Sequence, residues 1–421
     1  KVKEMTFNLD KYLTFNKSKL YTLRKSTLVV WLYTIGILIA FLTTMNPWPL
    51  WRLSTTYMVF SSAFIALAMI IDRQLSNRAF SDGNYIYPTV AFFVLVFYQT
   101  MIGNGNVSSF IAAFCNCFIF FSFFRYKAEL RQRIVTIICK GLAAFLCVSI
   151  TFFFLYIIGF SLPNQSLVSP DEFYYFTNYY LFLIDDRTLF AFFPRFQSIF
   201  IEPSQLGTAC VLLLQVQRGH WKKWYNSILL FATIISFSLG AYAYLFAIIF
   251  LNLWCNRKKM IRKVMGTIAV LSTIVIGSFF YNGGDNLLQD LIIARMEIND
   301  GELAGNNRTT ESFDKEYDSF MQSSDVLFGR QRDNSEFGNS GYKVYIYQYG
   351  VVGLILLIGF FVVSYRKGKD RRAEISSLIV ASMVFIVDGF VVWYCRYIPL
   401  FCTATSEPPT TDQQELSVSA S

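Results

Sequence analysis

Apolar positions along this chain fall into long uninterrupted runs, and the polar residues gather between them. Eleven runs stand out: Ser26–Met45, Ser54–Ile71, Ile86–Ile102, Val107–Phe124, Ile138–Phe160, Ser198–Leu214, Tyr225–Leu239, Gly240–Trp254, Val264–Tyr281, Tyr342–Tyr365 and Ile375–Trp393. Runs of about this length cross the roughly 30 Å hydrocarbon layer as helices. The pattern therefore predicts an all-α polytopic transmembrane helix bundle of about eleven spans, with a twelfth allowed if Val391–Phe401 carries part of a further crossing. The stretch Tyr225–Trp254 is read as two short helices, because a single helix of that length would be about 45 Å long. Ser236, Ser238 and Gly240 offer the turn, and basic residues flank both ends of the stretch.

Composition agrees: 54% of the 421 residues are apolar and only 15% are charged, against about 25% charged in a typical soluble domain. Basic loops belong on the cytoplasmic side, which gives the predicted spans a test. With the basic segment 1–25 inside, 27 of the 37 Lys and Arg fall in predicted cytoplasmic segments or, for Lys140, at the cytoplasmic end of the fifth span. Only seven of the 28 Asp and Glu do, and most of the remainder lie between Asp285 and Glu336. The net charge of +9 is thus a topology signal and excludes nucleic acid as the expected partner. The first run has full spanning length and no small-residue cleavage pattern behind it, which argues against a cleaved signal peptide.

The expected organisation is a basic cytoplasmic N-terminus (1–25), five spans (26–160), an aromatic outer loop (161–197), four spans (198–281), a large outer loop (282–341), two spans (342–393) and a polar tail (394–421). Six of the eight cysteines lie in or beside apolar runs, where a thiol is a small hydrophobe. Cys395 and Cys402 are expected on the outer, oxidising side, where a disulfide between them is open. His220 is the sole histidine, and no His or Cys cluster points to a metal. No cofactor is expected.

The two outer loops are long, and long loops in compact proteins tend to be functional. The first is rich in Tyr, Phe and Leu and is expected at the membrane interface or folded back on the bundle. The second is acidic yet carries Arg295, Arg308, Arg330 and Arg332. Guanidinium groups suit phosphate, and pairing with nearby carboxylates is the plainer alternative. The most informative segment is Arg195-Phe-Gln-Ser-Ile-Phe-Ile-Glu-Pro-Ser-Gln-Leu-Gly207. A helix running from Arg195 would place Arg195, Ser198 and Glu202 on one face. Pro203 disfavours helical geometry at Glu202, so a helix restarting at Pro203 is the other option. A carboxylate entering an apolar span is read as facing a cavity or a partner charge, and Arg195 is the partner named. The two either serve a ligand or form a buried structural pair. Asp388, in the last span, is a weaker case of the same kind.

Three stretches resemble the O-antigen polymerase and O-antigen ligase group of bacterial membrane glycosyltransferases. They are Arg195–Gly207 with its Glu-Pro-Ser step, the hairpin Ser236-Phe-Ser-Leu-Gly-Ala-Tyr242, and the region from Arg295 and Arg308 through Leu327-Phe-Gly329 to Asn339-Ser-Gly-Tyr342 and Tyr349-Gly-Val-Val-Gly353. Leu239 stands where many members carry a polar residue, and Gly338 stands where ligases show a histidine, which favours the polymerase. Family members generally end in the cytoplasm, whereas eleven spans leave this C-terminus outside.

The resemblance implies polymerisation of undecaprenyl-pyrophosphate-linked oligosaccharide repeat units into O-antigen, capsular or exopolysaccharide, by glycosyl transfer at the periplasmic face of the inner membrane. It further implies a chain-length regulator and a flippase of the same pathway as partners. Arg195, Arg295 and Arg308 are then expected on the pyrophosphate, where held positive charge stabilises the leaving group. Glu202 is expected either as the base for the acceptor hydroxyl or as the group that orients Arg195. Ser198, Ser204, Arg330, Asn339 and Tyr342 are further substrate-binding candidates. Two alternatives remain, an O-antigen ligase and a flippase or transporter for lipid-linked oligosaccharide. The sequence shows neither the internal repeats nor the broken helices common in transporters.

Overall fold

The computed structural model describes residues 27–74, 85–103, 105–170, 174–188, 194–218, 220–255, 310–330, 341–365, 370–387 and 393–403, with scattered positions between 265 and 303. The chain is mostly helical. Helices α1 (Thr27–Thr43), α2 (Tyr57–Gln74), α3 (Ile86–Ile102), α4 (Val107–Arg125) and α5 (Ala128–Ile157) form the first half. Helices α6 (Pro203–Val216), α7 (Trp224–Ile235), α8 (Leu239–Cys255), α9 (Glu311–Met321), α10 (Gly341–Ser364) and α11 (Arg371–Val387) form the second. Among the described residues α4, α5 and α10 are long and apolar enough to cross a membrane, and α1, α3, α6, α7 and α8 are shorter apolar helices.

The surface of α3 shows why such helices suit lipid. Ile86, Val90, Phe93, Val94, Phe97 and Met101 are exposed along one helical stripe, while Phe92, Leu95, Val96 and Gln99 are buried on the other face. An exposed face as apolar as the buried one is the reverse of a helix in water, whose outer face is polar. Helix α6 sits at the opposite extreme. Every residue from Gln205 to Gln215 is buried, so α6 is the central post, packed by α7 and α8. The long apolar run from Tyr225 is two helices, turning at Ser236–Ser238.

The last described segment departs from the expected outer tail. Tyr394–Thr403 is a 3-10 helix whose side chains are buried from Tyr394 to Cys402. At one end Tyr394 accepts a hydrogen bond from Gln99, and Arg396 donates to the Thr44 carbonyl at 2.8 Å. At the other end the Phe401 carbonyl accepts from Arg131 at 3.0 Å and the Leu400 carbonyl from Tyr365 at 2.7 Å. Ten residues at the 2.0 Å rise of a 3-10 helix cover about 20 Å, longer than the same residues as α-helix. The segment thus threads the bundle from the Thr44 end to the Arg131 end. Cys395 and Cys402 are consequently separate buried thiols and not the disulfide the sequence left open. Cys395 meets Asn116, and Cys402 meets the Arg131 carbonyl. The polar tail beyond Thr403 and Asp388 lie outside the described residues.

A second departure is in α10, which is broken at Gly350 (φ 63°, ψ −174°). No interruption was expected in this span. Gly329 (φ 90°) lies against the break. A Cβ on either glycine would overlap the backbone of the other strand, Gln348–Tyr349 or Leu327–Phe328. Two chain segments therefore cross backbone to backbone, which only glycine permits with these left-handed φ values. Tyr98 seals the crossing by donating to the carbonyls of Tyr349 and Phe328 at 2.9 and 3.2 Å.

The aromatic loop after α5 is a small antiparallel sheet of β1 (Gln165–Val168), β2 (Tyr175–Asn178) and β3 (Leu183–Asp185), in the order β1-β2-β3. It folds back on the bundle. Phe182 meets Phe153, Tyr179 meets Tyr156, and Ser149 donates to the Leu181 carbonyl at 2.8 Å. Phe176, Leu183 and Ile201 form a cluster against Trp48 and Trp51, which belong to a 3-10 helix, Trp48–Thr56, that follows α1. A two-stranded hairpin, Ile298–Asn299 with Glu302–Leu303, is the other sheet among the described residues.

Candidate functional site

Residues 194–202 are irregular, and α6 begins at Pro203. Of the two expectations for this segment, the restart is the one observed: Glu202 is the N-cap, extended at φ −139° and ψ 150°. Pro203 forces this, because the residue before proline is pushed out of helical space and proline itself sits well at the first helical position. The single face of Arg195, Ser198 and Glu202 therefore does not form. Ser198 adopts a left-handed conformation (φ 51°) and is fully buried. Its hydroxyl bonds Ser149 at 2.9 Å, and its carbonyl accepts from the Leu183 amide at 2.8 Å. Ser198 is thus a joint between α5, β3 and the approach to α6.

The Glu202 carboxylate is half-buried. Its Oε1 accepts from the Tyr174 hydroxyl at 2.5 Å and its Oε2 from Ser204 Oγ at 2.6 Å. Each oxygen keeps a further lone pair for another donor. Arg195 lies within electrostatic reach of Tyr242, and the amide of Phe196 donates to the Ile235 carbonyl at the end of α7. Gly207 packs directly on Ala241, where a Cβ on Gly207 would overlap the Ala241 side chain. Two of the three sequence stretches, Arg195–Gly207 and Ser236–Tyr242, therefore meet at one end of the central helix.

Two residues of this site carried no sequence signal of their own, Tyr174 and Arg187. The Phe176–Asp185 pairing of β2 with β3, continued by two residues in each direction, sets Tyr174 opposite Arg187 on the same face. The Arg187 guanidinium lies 4.7 Å from the centroid of the Tyr174 ring and is held by Asp185 at 2.6 Å. That bond to Asp185 raises the Arg187 pKa above its ordinary value. Burial, followed by the adjacent Glu202 charge, pushes the Tyr174 phenol well above its own, so it stays a hydrogen-bond donor. Only the aromatic richness of the loop hinted at such a site.

The third stretch is ordered differently. Arg330 pairs with Asp325 at 2.5 Å and Glu316 at 3.2 Å, the plainer of the two readings for an arginine in this acidic loop. Its amide also donates to the Tyr347 carbonyl at 2.6 Å. Tyr342 is exposed in the first turn of α10. Arg295, Arg308, Arg332 and Asn339 lie outside the described residues. Comparison with known proteins finds no matching family model, no similar curated protein and no similar solved structure.

Proposed function

We propose that this chain is a polymerase of lipid-linked oligosaccharide repeat units, transferring a growing glycan from undecaprenyl pyrophosphate to the next unit at the outer face of the bacterial inner membrane. The observation that carries the reading is the meeting of Arg195–Gly207 with the hairpin Ser236–Tyr242 at the start of a buried central helix, with a half-buried carboxylate at its N-cap. Free amide groups at a helix start favour negative charge, and a carboxylate or a bound anion can take it. Arg195, with Arg295 and Arg308, neutralises the pyrophosphate, and Glu202 accepts the proton of the acceptor hydroxyl. The charge distribution along the sequence supports the topology of eleven crossings with the N-terminus in the cytoplasm, and the buried Tyr394–Thr403 segment is read as a twelfth traverse.

Deleting the gene from its host and sizing the lipid-linked glycans tests this. Single repeat units in place of long chains are expected, with length restored by the wild type and not by Arg195→Ala. Finished polymer that fails to reach its acceptor would establish a ligase instead. Repeat units stranded on the cytoplasmic face would establish a flippase, the reading that the break in α10 favours. A tag between residues 282 and 341 accessible only from the cytosol would overturn the topology.

A further inference from the structure

The sheet after α5 reaches the Glu202 carboxylate through one side chain, and that side chain is fixed from several directions. Tyr174 is anchored by its backbone to Ser169: its amide donates to Ser169 Oγ at 2.9 Å, and its carbonyl accepts from the Ser169 amide at 2.9 Å. Its ring stacks on Phe176, with centroids 5.9 Å apart, and Phe176 is buried in the cluster against Trp48 and Trp51. On another side lies Arg187, locked by a two-pronged bond to Asp185 with Nε and Nη2 donating at 3.0 and 2.6 Å. Only the hydroxyl points onward, to Glu202.

From this we infer that Tyr174 is a positioning residue for Glu202, and that Arg187 and Asp185 set the position of Tyr174. The inference rests on the reading of Glu202 as the base. A carboxylate at an extended N-cap, outside the helix hydrogen-bond ladder, has rotamers to choose from. Tyr174 on Oε1 and Ser204 on Oε2 select one and leave a lone pair on each oxygen for the acceptor hydroxyl. The cation over the Tyr174 ring draws electron density from the phenol and strengthens its donation. Part of the orientation of the central helix's carboxylate therefore comes from the loop sheet, whose seat depends on the Trp48–Thr56 segment after α1.

The test uses the full-length protein in liposomes with lipid-linked repeat units extracted from a host deleted for the gene. Tyr174→Phe keeps the ring and its stack and removes the hydroxyl, with the bond it donates to Glu202 and the one it shares with Arg187; Arg187→Gln separates the two. The expected effect of Tyr174→Phe is a kcat lowered by about tenfold to a hundredfold through loss of orientation, with KM held within about twofold because binding groups are untouched. Ser204→Ala is expected to do the same through the other oxygen, and Arg187→Gln to produce a smaller loss of the same kind. In a variant combining Tyr174→Phe with Ser204→Ala the losses should exceed their product, since the carboxylate is then held by neither. An unchanged kcat in Tyr174→Phe, alongside an inactive Glu202→Gln, overturns the positioning role and leaves the base reading standing. So does a rise in KM alone. Undiminished turnover in Glu202→Gln overturns the base reading itself, and the positioning role with it.

Discussion

The loop after α5 and the loop before α10 use arginine in different ways. In the loop after α5, Arg187 is held by Asp185 and has an aromatic ring beneath it; its side chain remains 60% exposed. In the acidic loop before α10, Arg330 is held by Asp325 and Glu316 together, Glu316 also accepts from Tyr347, and the guanidinium rests over Phe320. The loop richer in charge has its described arginine engaged in holding α9 onto α10. The loop richer in aromatics places its polar groups around an accessible carboxylate. Charge density along a sequence is thus a poor guide to where charge is available, because carboxylates close in sequence are also close in space and neutralise their neighbours first.

The largest expected effect concerns the aromatic loop's site. Glu202→Gln, nearly isosteric with the native residue, should lower polymerisation by at least about a hundredfold, as loss of a positioned base does; glycan ladders on gels measure it. Undiminished ladders would place the working site elsewhere, and the acidic loop would be the next region to search. Gly350→Ala comes next. The left-handed φ and the overlap with Leu327 should destabilise the crossing by about 2 kcal/mol or more, read as a lower melting temperature of the purified protein. A wild-type melting curve would mean that the two segments do not cross as described.

Arg330→Gln sharpens the contrast directly. Removing the two ion pairs should make residues 310–330 more sensitive to limited proteolysis while chain length stays near normal, because Phe313 and Phe320 remain buried against Val344 and Tyr347. A selective rise in KM would instead make Arg330 a substrate ligand. The smallest effect belongs to Lys315→Ala. Lys315 and Glu311 form an exposed i,i+4 pair, and the lysine holds the Glu311 carboxyl below its usual value. A depressed carboxyl contributes stability above its unfolded pKa and loses it as pH falls through the folded one. Any difference from wild type should therefore appear at neutral pH and vanish in acid, and exposure keeps it near the limit of detection.

Helix existence was legible in the sequence to a large degree. Helices occupy the runs at Ile86–Ile102 and Val107–Phe124 almost residue for residue, because a continuous apolar run has no partner in water and its backbone must bond internally. The division of Tyr225–Trp254 was legible too, from helix length and flanking charge. The Pro203 start was one of the two options the sequence left open, and local sterics decided for it. In contrast, the sheet after α5 was invisible. Its strands are three or four residues long, and its aromatic residues do not alternate cleanly with polar ones. The break at Gly350 was equally hidden, because the glycine is required by a contact with Leu327, more than twenty residues earlier in the chain.

The sequence by itself determined which segments are apolar enough to form helices and offered Pro203 as one of two starts for α6, since each depends on neighbours within a few residues or on composition. Tertiary structure alone decided that Tyr174 and Ser204 meet Glu202, that Ser198 is buried in a joint, and that Tyr394–Thr403 passes through the bundle. Those outcomes depend on strand register and on packing between distant segments, and a local pattern holds no record of either.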